Sequence, residues 1–459
     1  MLYVLFAITL FFLILNYTIT QGDYLHPSTL FCEIFAVYEL ICIIGQSAYQ
    51  ITLHAETVFV MICGFMAFTI GALITNSKKK LSKEGNNYPS QQFQIEYIYI
   101  SDYLVYILIA MQIVTNIFFI KYLKAISVAW GSGGGSLGEM INLYDTMTKF
   151  WTTIFKNLNV PVPMVYRIGS PIVTAGGWLI LYVAVNNFMI NKKIKLSHIV
   201  VILLMCISIL LNGSRSPLLR VITFVIIMIY MLNYKKFRYR KGSLKFFLKL
   251  IFVVLGVSVL MIAVLSIIGR AGSMPNIWRY IFVYTGAPIV NLDNFLISKS
   301  IKIIGGNTVF FGEQTFYDGY AYLSKIMKSS FADKVEKIGG FVFSNNGIEI
   351  GNVYTTYNVF AYDFGYFGVF PLIFVVALYY TSTYKKILCD TKSAKSIDFN
   401  LFIYAYLFND LIMLPFSNRF YSTILDAPFI KTIILAWIMK CILFDKKIVL
   451  GKYRLKCKL

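Results

Sequence analysis

Residues 196–232, LSHIVVILLMCISILLNGSRSPLLRVITFVIIMIYML, contain two apolar runs separated only by a short polar turn, Asn212–Ser216. An apolar helix of about 20 residues crosses the ~30 Å hydrocarbon core of a bilayer. Lysines flank the stretch on both sides, at 192–195 and 235–236, and none lies in the turn between the runs. Because short basic loops stay on the cytoplasmic side of a membrane, the stretch predicts a helical hairpin whose turn faces outward.

The same pattern continues along the chain. Of its 459 residues, 58% are apolar and only 14% are charged, against about 25% charged in an ordinary soluble domain. We therefore predict an all-α polytopic transmembrane helix bundle, a single integral membrane domain over residues 1–459, with about eleven spans (ten to twelve). The predicted spans are 2–20, 28–47, 57–75, 102–121, 172–190, 197–211, 217–233, 247–268, 359–381, 398–415 and 421–443.

The net charge of +21 comes from 42 basic and 21 acidic residues. The basic residues concentrate in short loops between predicted spans, which indicates membrane orientation rather than nucleic-acid binding. If these loops are cytoplasmic, the N-terminus lies outside and the C-terminus inside. The seven cysteines and three histidines are scattered, so no metal site is expected. The lysine-rich loops lie at 78–83, 192–195, 235–249, 385–395 and 446–458.

Two long segments are predicted on the outer side, at 122–171 and 269–358. Connections in compact proteins average about 5 residues, and longer ones tend to be functional or disordered. The segment 269–358 is rich in Phe, Tyr, Ile and Val, which argues against disorder. We expect it to fold as a cap over the outer mouth of the bundle.

Arg215 is the first candidate for chemistry, because it lies in the outward turn between two spans. Gly213, Ser214 and Ser216 allow backbone and hydroxyl donors to approach an anion there. Pro217 suits the first turn of the next helix, whose N-terminal dipole adds positive potential. The turn is therefore a candidate diphosphate site. The alternative is an arginine that anchors the protein to lipid headgroups.

Arg270 and Arg279 form a second candidate group, at the outer end of the eighth predicted span and nine residues further on. A guanidinium group is always charged and offers a fixed fork of donors that matches a phosphate. Both arginines are candidate ligands of a lipid diphosphate, and headgroup anchoring is again the alternative.

Asp363 is the third candidate, in the sequence Asp363-Phe-Gly365-Tyr-Phe-Gly368 at the entry to the ninth predicted span. Partial burial would raise the pKa of its carboxyl group and suit a general base that acts on a sugar hydroxyl. Alternatively, Asp363 is a helix-end residue with a structural hydrogen bond, and the glycines mark a close helix contact. Asp410, which could face Asp363 or pair with an arginine, and Glu349 are the next acidic candidates.

These features together resemble the Wzy-type O-antigen and capsule repeat-unit polymerases of bacteria. The resemblance covers the second half of the chain best and depends on pattern and layout. The segments that carry it are Gly213-Ser-Arg215-Ser, Arg270 and Arg279 leading into Tyr284-Thr-Gly-Ala-Pro-Ile-Val-Asn-Leu, and Asn352-Val-Tyr-Thr-Thr with Asp363-Phe-Gly-x-x-Gly.

The resemblance implies a metal-independent glycosyl transfer without a cofactor, at the outer face of the bacterial cytoplasmic membrane. The growing chain leaves undecaprenyl diphosphate and joins a hydroxyl group of a new lipid-linked repeat unit. Arg215, Arg270 and Asp363 would be catalytic. The lipid-linked oligosaccharide and membrane lipid are the implied partners, with a chain-length regulator and flippase as candidates. Diphosphate ligands would be Ser214, Arg215, Ser216, Arg270 and Arg279, and acceptor-side candidates are Glu349, Tyr357, Asn358 and Asp410.

Three alternatives remain open. O-antigen ligases have a similar layout, but they typically carry a histidine shortly before the acidic segment, where this chain has Thr355-Thr-Tyr-Asn358. A flippase or other transporter of lipid-linked oligosaccharide would be expected to have short outer loops and paired charges deep in several helices. A structural or sensor protein would not depend on Arg215, Arg270 or Asp363.

Overall fold

The structure is a computed structural model, and it describes most of the chain. Arg215, Arg270 and the eighth predicted span, 247–268, lie outside the described residues. The described residues are 1–81, 94–150, 160–214, 216–237, 277–298, 301–308, 310–329, 335, 338–390, 396–445, 447–450 and 453–456.

The described part of the chain forms fifteen helices and two short antiparallel hairpins. The helices are α1 (Leu2–Ile19), α2 (Pro27–Tyr49), α3 (Ala55–Leu81), α4 (Asp102–Ala129), α5 (Leu137–Phe150), α6 (Met164–Asn191), α7 (Leu196–Leu211), α8 (Ser216–Phe237), α9 (Ile277–Thr285), α10 (Ala287–Ser298), α11 (Tyr317–Met327), α12 (Tyr357–Cys389), α13 (Phe399–Ile412), α14 (Arg419–Leu425) and α15 (Ala427–Leu443). The hairpins pair β1 (Val342–Phe343) with β2 (Glu349–Gly351) and β3 (Lys447–Leu450) with β4 (Tyr453–Lys456).

The all-α, multi-pass architecture is confirmed. Within the described residues, seven helices are long and apolar enough to cross a membrane, namely α1 to α4, α6, α8 and α12. Helices α7 and α13 are apolar but shorter. Each predicted span that the structure describes coincides with helix, and the last is divided at Asp426 into α14 and α15.

Lysine contacts identify one end of the bundle. At one end, Lys235 lies 3.9 Å from Asp398 at the start of α13, and Lys385 donates to the carbonyl oxygen of Thr75 near the end of α3. We call this the lysine end. The opposite end holds the starts of α3, α8 and α12 and the end of α13, because these helices run between the two ends.

Helices α9 and α10 lie inside the segment predicted as a cap, and they are bent by 50° relative to each other. The pair packs against α2, where the thiol of Cys42 donates to the carbonyl oxygen of Gly286 at 3.0 Å. Asn291 and Asp293 are completely buried. Together α9 and α10 have the length and apolarity of a broken span or a re-entrant loop.

Helix α12 is broken at Gly365, whose φ of 74° lies in the left-handed region. Residues 302–307 supply partners for the backbone groups that the break exposes. Tyr366 donates to the carbonyl oxygen of Lys302 at 3.1 Å, and Asn307 donates to that of Tyr362 at 2.9 Å. A Cβ atom on Gly365 would lie 2.7 Å from the Lys302 oxygen. The break therefore requires glycine and places Asp363 on a short helical turn separate from the rest of α12.

Candidate functional site

A cluster of charged side chains lies where α8 begins and α13 ends. Arg220, one turn into α8, donates through Nη2 to Oδ1 of Asp410 at 2.7 Å and to the hydroxyl of Thr423 at 3.3 Å. Its guanidinium carbon lies 4.6 Å from the ring centre of Tyr406. Arg419, at the start of α14, is the second arginine of the group. We call Arg220, Tyr406, Asp410, Arg419 and Thr423 the arginine cluster.

The arginine cluster is partly shielded from solvent and retains unused hydrogen-bond donors. The side chain of Arg220 is only 11% exposed and that of Asp410 is fully buried. Among the described residues, Nη1 of Arg220 and Nε of Arg419 have no hydrogen-bond partner. A buried donor without a partner costs about 1–3 kcal/mol, more when charged. These N–H groups are therefore available as charged donors to an anion that enters the cluster.

Of the two arginines in the cluster, only Arg220 forms a salt bridge with a carboxylate among the described residues, that of Asp410. Asp318 lies within electrostatic range of Arg419, and Asp426 within range of Arg220. Burial lowers the pKa of Arg419, and the nearby charge of Arg220 adds to this effect, whereas Asp410 and Asp318 oppose it. An anionic ligand would offset the desolvation of the second guanidinium in the same way that Asp410 does for the first.

The sequence places the arginine cluster through ordinary helix-end signals. Helix α8 begins at Ser216, so Pro217 lies in its first turn, as predicted. Ser216, one turn before Arg220, and Ser214, which precedes the helix, are both partly exposed. Of the residues predicted from sequence, Asp410 and Ser216 thus lie on the elements that carry the cluster, and Asp410 pairs with an arginine, one of the two roles considered for it.

Asp363 is held by backbone amides. Its carboxylate accepts from the N–H of Gln314 at 3.2 and 3.1 Å and from the N–H of Thr315 at 2.6 Å. The side chain is almost completely buried. Asn418, next to Arg419, donates to the carbonyl oxygen of Thr315 at 2.9 Å. Asp363 therefore fits the alternative role considered for it, a residue with structural hydrogen bonds near a helix end, better than that of a free general base.

The remaining predicted residues lie elsewhere. Arg279 donates to the backbone oxygen of Glu349 at 3.3 Å, so these two are brought together, but not through the Glu349 carboxylate. Tyr357 is fully buried against α3, where a Cβ atom on Gly64 would lie 1.8 Å from its hydroxyl oxygen. Asn358 is also buried. Neither Tyr357 nor Asn358 has the exposure that contact with an acceptor sugar requires.

Sequence reasoning did not identify Arg220 and Arg419. Arg220 interrupts the apolar run of a predicted span only four residues after Ser216, and an arginine within a span is by itself a signal of a functional site. Arg419 follows Ser417-Asn418 between two apolar runs. Nothing in the local sequence around Arg419 indicates that the start of α14 lies near Asp410.

A second unpredicted group joins His54 to Asp293. Oδ1 of Asp293 accepts from the backbone N–H of His54 at 2.8 Å and from the hydroxyl of Thr57 at 2.7 Å, and Oδ2 lies 2.7 Å from Nδ1 of His54. The side chain of Asp293 is 1% exposed, whereas that of His54 is 51% exposed. The hydrogen bond to Asp293 raises the pKa of His54. A sequence separation of 239 residues conceals this pair.

Within the described ranges, no three His, Cys, Asp or Glu side chains are grouped so that they could hold a metal ion. Comparison with known proteins gives no match to any family model, to any curated protein or to any solved structure.

Proposed function

We propose that this protein polymerises lipid-linked oligosaccharide repeat units at the outer face of the bacterial cytoplasmic membrane. The donor would be a growing chain on undecaprenyl diphosphate. The acceptor would be a sugar hydroxyl group of a new lipid-linked unit. The single observation that carries the proposal is the arginine cluster, whose two guanidinium groups each have a buried unused donor, at the end of the bundle opposite the lysine end.

In the proposed reaction, the acceptor oxygen bonds to the anomeric carbon of the donor sugar, and the bond from that carbon to the diphosphate oxygen breaks. Negative charge then builds up on the leaving diphosphate. Arg220 and Arg419 would bind that group and stabilise the developing charge. Asp410 holds Arg220 in position through its 2.7 Å hydrogen bond, so it is a positioning residue in this scheme.

The orientation of the proposed site follows from the basic residues. The lysine-rich turns would lie in the cytoplasm. The arginine cluster would then face the periplasm or cell exterior, at the membrane boundary where a lipid diphosphate lies. Arg215 and Arg270 remain candidate ligands of the same diphosphate.

Deletion of the gene in its native host tests this proposal. Surface polysaccharide separated by size on a gel should lose its long chains and retain a single repeat unit on the normal acceptor. Polymerisation would be lost while ligation and export continue. Wild-type chain lengths in the deletion strain would refute the proposal.

A transporter of lipid-linked oligosaccharide is the second candidate function. It is favoured by two helix interruptions, the break at Gly365 in α12 and the bend between α9 and α10, because transporter substrate sites often lie at discontinuous helices. Loss of even the single repeat unit in the deletion strain would favour this function or a ligase over the polymerase.

A further inference from the structure

His54 and Asp293 form a pair with the geometry of a positioned acid–base group. The Asp293 carboxylate is an acceptor for three donors, the backbone N–H of His54, the hydroxyl of Thr57 and Nδ1–H of His54. Because the carboxylate accepts the proton of Nδ1, the neutral imidazole carries its lone pair on Nε2. The described residues provide no hydrogen-bond partner for Nε2.

The burial of the two side chains differs in a way that suits this role. Asp293 is completely enclosed on α10, and its contacts to the start of α3 fix its position. His54 immediately precedes α3 and is half-exposed. The ring is therefore oriented from the buried side and remains accessible from the other side, which a general base that acts on a bound substrate needs.

The surroundings of His54 include partly exposed aromatic rings. The ring centre of Phe59, on the first turns of α3, lies 6.3 Å from that of Tyr366 and 6.4 Å from that of Phe367, both just past the break in α12. Phe59 and Phe367 are 44% and 61% exposed. Tyr366 also lies within electrostatic range of Asp293. Such rings offer flat apolar surfaces with a polar edge, which suit the face of a sugar.

We propose that His54 is the general base that takes the proton from the acceptor sugar hydroxyl, with Asp293 as its positioning residue. This inference rests on the proposed polymerase function. As the acceptor oxygen bonds to the anomeric carbon, its proton passes to Nε2 of His54 and the electron pair of the breaking bond leaves with the diphosphate. Asp363 is not available for this task, because backbone amides occupy its carboxylate.

The test uses the full-length protein in nanodiscs, with lipid-linked repeat units extracted from the deletion strain as substrate. His54→Asn retains a donor toward Asp293 but lacks a base, and His54→Ala leaves space for added imidazole. We expect both variants to lose at least about 100-fold in turnover, within the usual range for a general base. Added imidazole should restore part of the turnover of His54→Ala but none of the turnover of Arg419→Lys.

Asp293→Asn supplies a readout that a purely structural role would not give. Asp293 from α10 and Glu56 from α3 are the carboxylates that raise the pKa of His54, and partial burial opposes them; Tyr366 faces the same region from α12. Loss of the Asp293 charge should lower that pKa. The rising limb of the pH–rate profile should therefore move to lower pH, while the maximal rate falls.

The two proposals fail in different ways. If His54→Asn polymerises within about threefold of the wild type while Arg419→Lys is inactive, the base is another group and the polymerase assignment stands. If the wild-type protein itself does not polymerise the extracted units, both proposals fail.

Discussion

Asp410 and Asp363 are buried carboxylates near the same end of the bundle, but their hydrogen bonds differ. Asp363 accepts from the backbone N–H groups of Gln314 and Thr315 and also from the Thr315 side chain, and both of its oxygens are engaged. Asp410 bonds a guanidinium through Oδ1, and its Oδ2 has no hydrogen-bond partner among the described residues. A buried carboxylate whose two oxygens are both engaged by one turn orients that turn. One whose arginine partner keeps an unused donor has capacity left for a ligand.

The largest expected effect is a loss of stability when the charge of Asp410 is removed. Asp410→Asn removes the carboxylate that is hydrogen-bonded to Arg220, and loss of one partner of a buried pair costs about 3–5 kcal/mol. The matched control is Asp102→Asn, because Asp102 and Lys195 are also 2.7 Å apart but are 54% and 38% exposed. The control should cost about 1 kcal/mol or less. Thermal unfolding in detergent measures the loss of stability in both variants. Equal losses would contradict the expected difference between the buried pair and the exposed pair.

The next largest effect is expected on turnover, when the arginines of the cluster are replaced. Arg220→Lys and Arg419→Lys keep the positive charge but lose the planar fork that binds a diphosphate. Turnover should fall about 10²–10³-fold, as when one donor to a developing negative charge is removed. Arg167→Lys is the control, since Arg167 is an exposed arginine near the start of α6. Polymer formation in isolated membranes is the measurement, and an equal loss in the control would refute the role of the cluster.

Asp363→Asn is expected to lower stability and to leave the rate of polymerisation almost unchanged. The amide nitrogen faces a backbone N–H of Gln314 or Thr315, which loses its acceptor, at a cost of about 1–3 kcal/mol. The folded fraction of this variant should polymerise at close to the wild-type rate, because Asp363 orients a turn. Turnover normalised to folded protein separates the two roles, and a loss as large as that of Arg419→Lys would make Asp363 part of the chemistry.

The smallest expected effect is the contribution of His54 to stability, which depends on pH. Because the pKa of His54 is raised in the folded protein, its stabilisation is complete below the ordinary histidine pKa of about 6.5. It is lost as pH rises through the raised value. The half-exposed ring keeps the effect below about 1 kcal/mol. The difference in melting temperature between wild type and His54→Asn should shrink as pH rises, and a constant difference would contradict this linkage.

The sequence predicts the fold better than the site. A helix that spans a membrane is specified by the apolar residues of its own segment, whereas the site forms from side chains that are far apart in the sequence. The runs around the Asn212–Ser216 turn specify two helices from their own composition. Asp410 meets Arg220 across 190 residues of chain, and no local pattern encodes that meeting. The scattered histidines looked uninformative for the same reason, since His54 gains its partner only when α10 packs against the start of α3.

We propose that the arginine cluster binds the diphosphate of a polyprenyl lipid. The most direct measurement is a titration of undecaprenyl diphosphate into the purified protein in nanodiscs, with wild type, Arg419→Lys and Arg167→Lys compared. We predict that Arg419→Lys weakens binding at least about tenfold, equivalent to 1.4 kcal/mol, and that Arg167→Lys binds like the wild type. Equal affinity in all three proteins would contradict the claim.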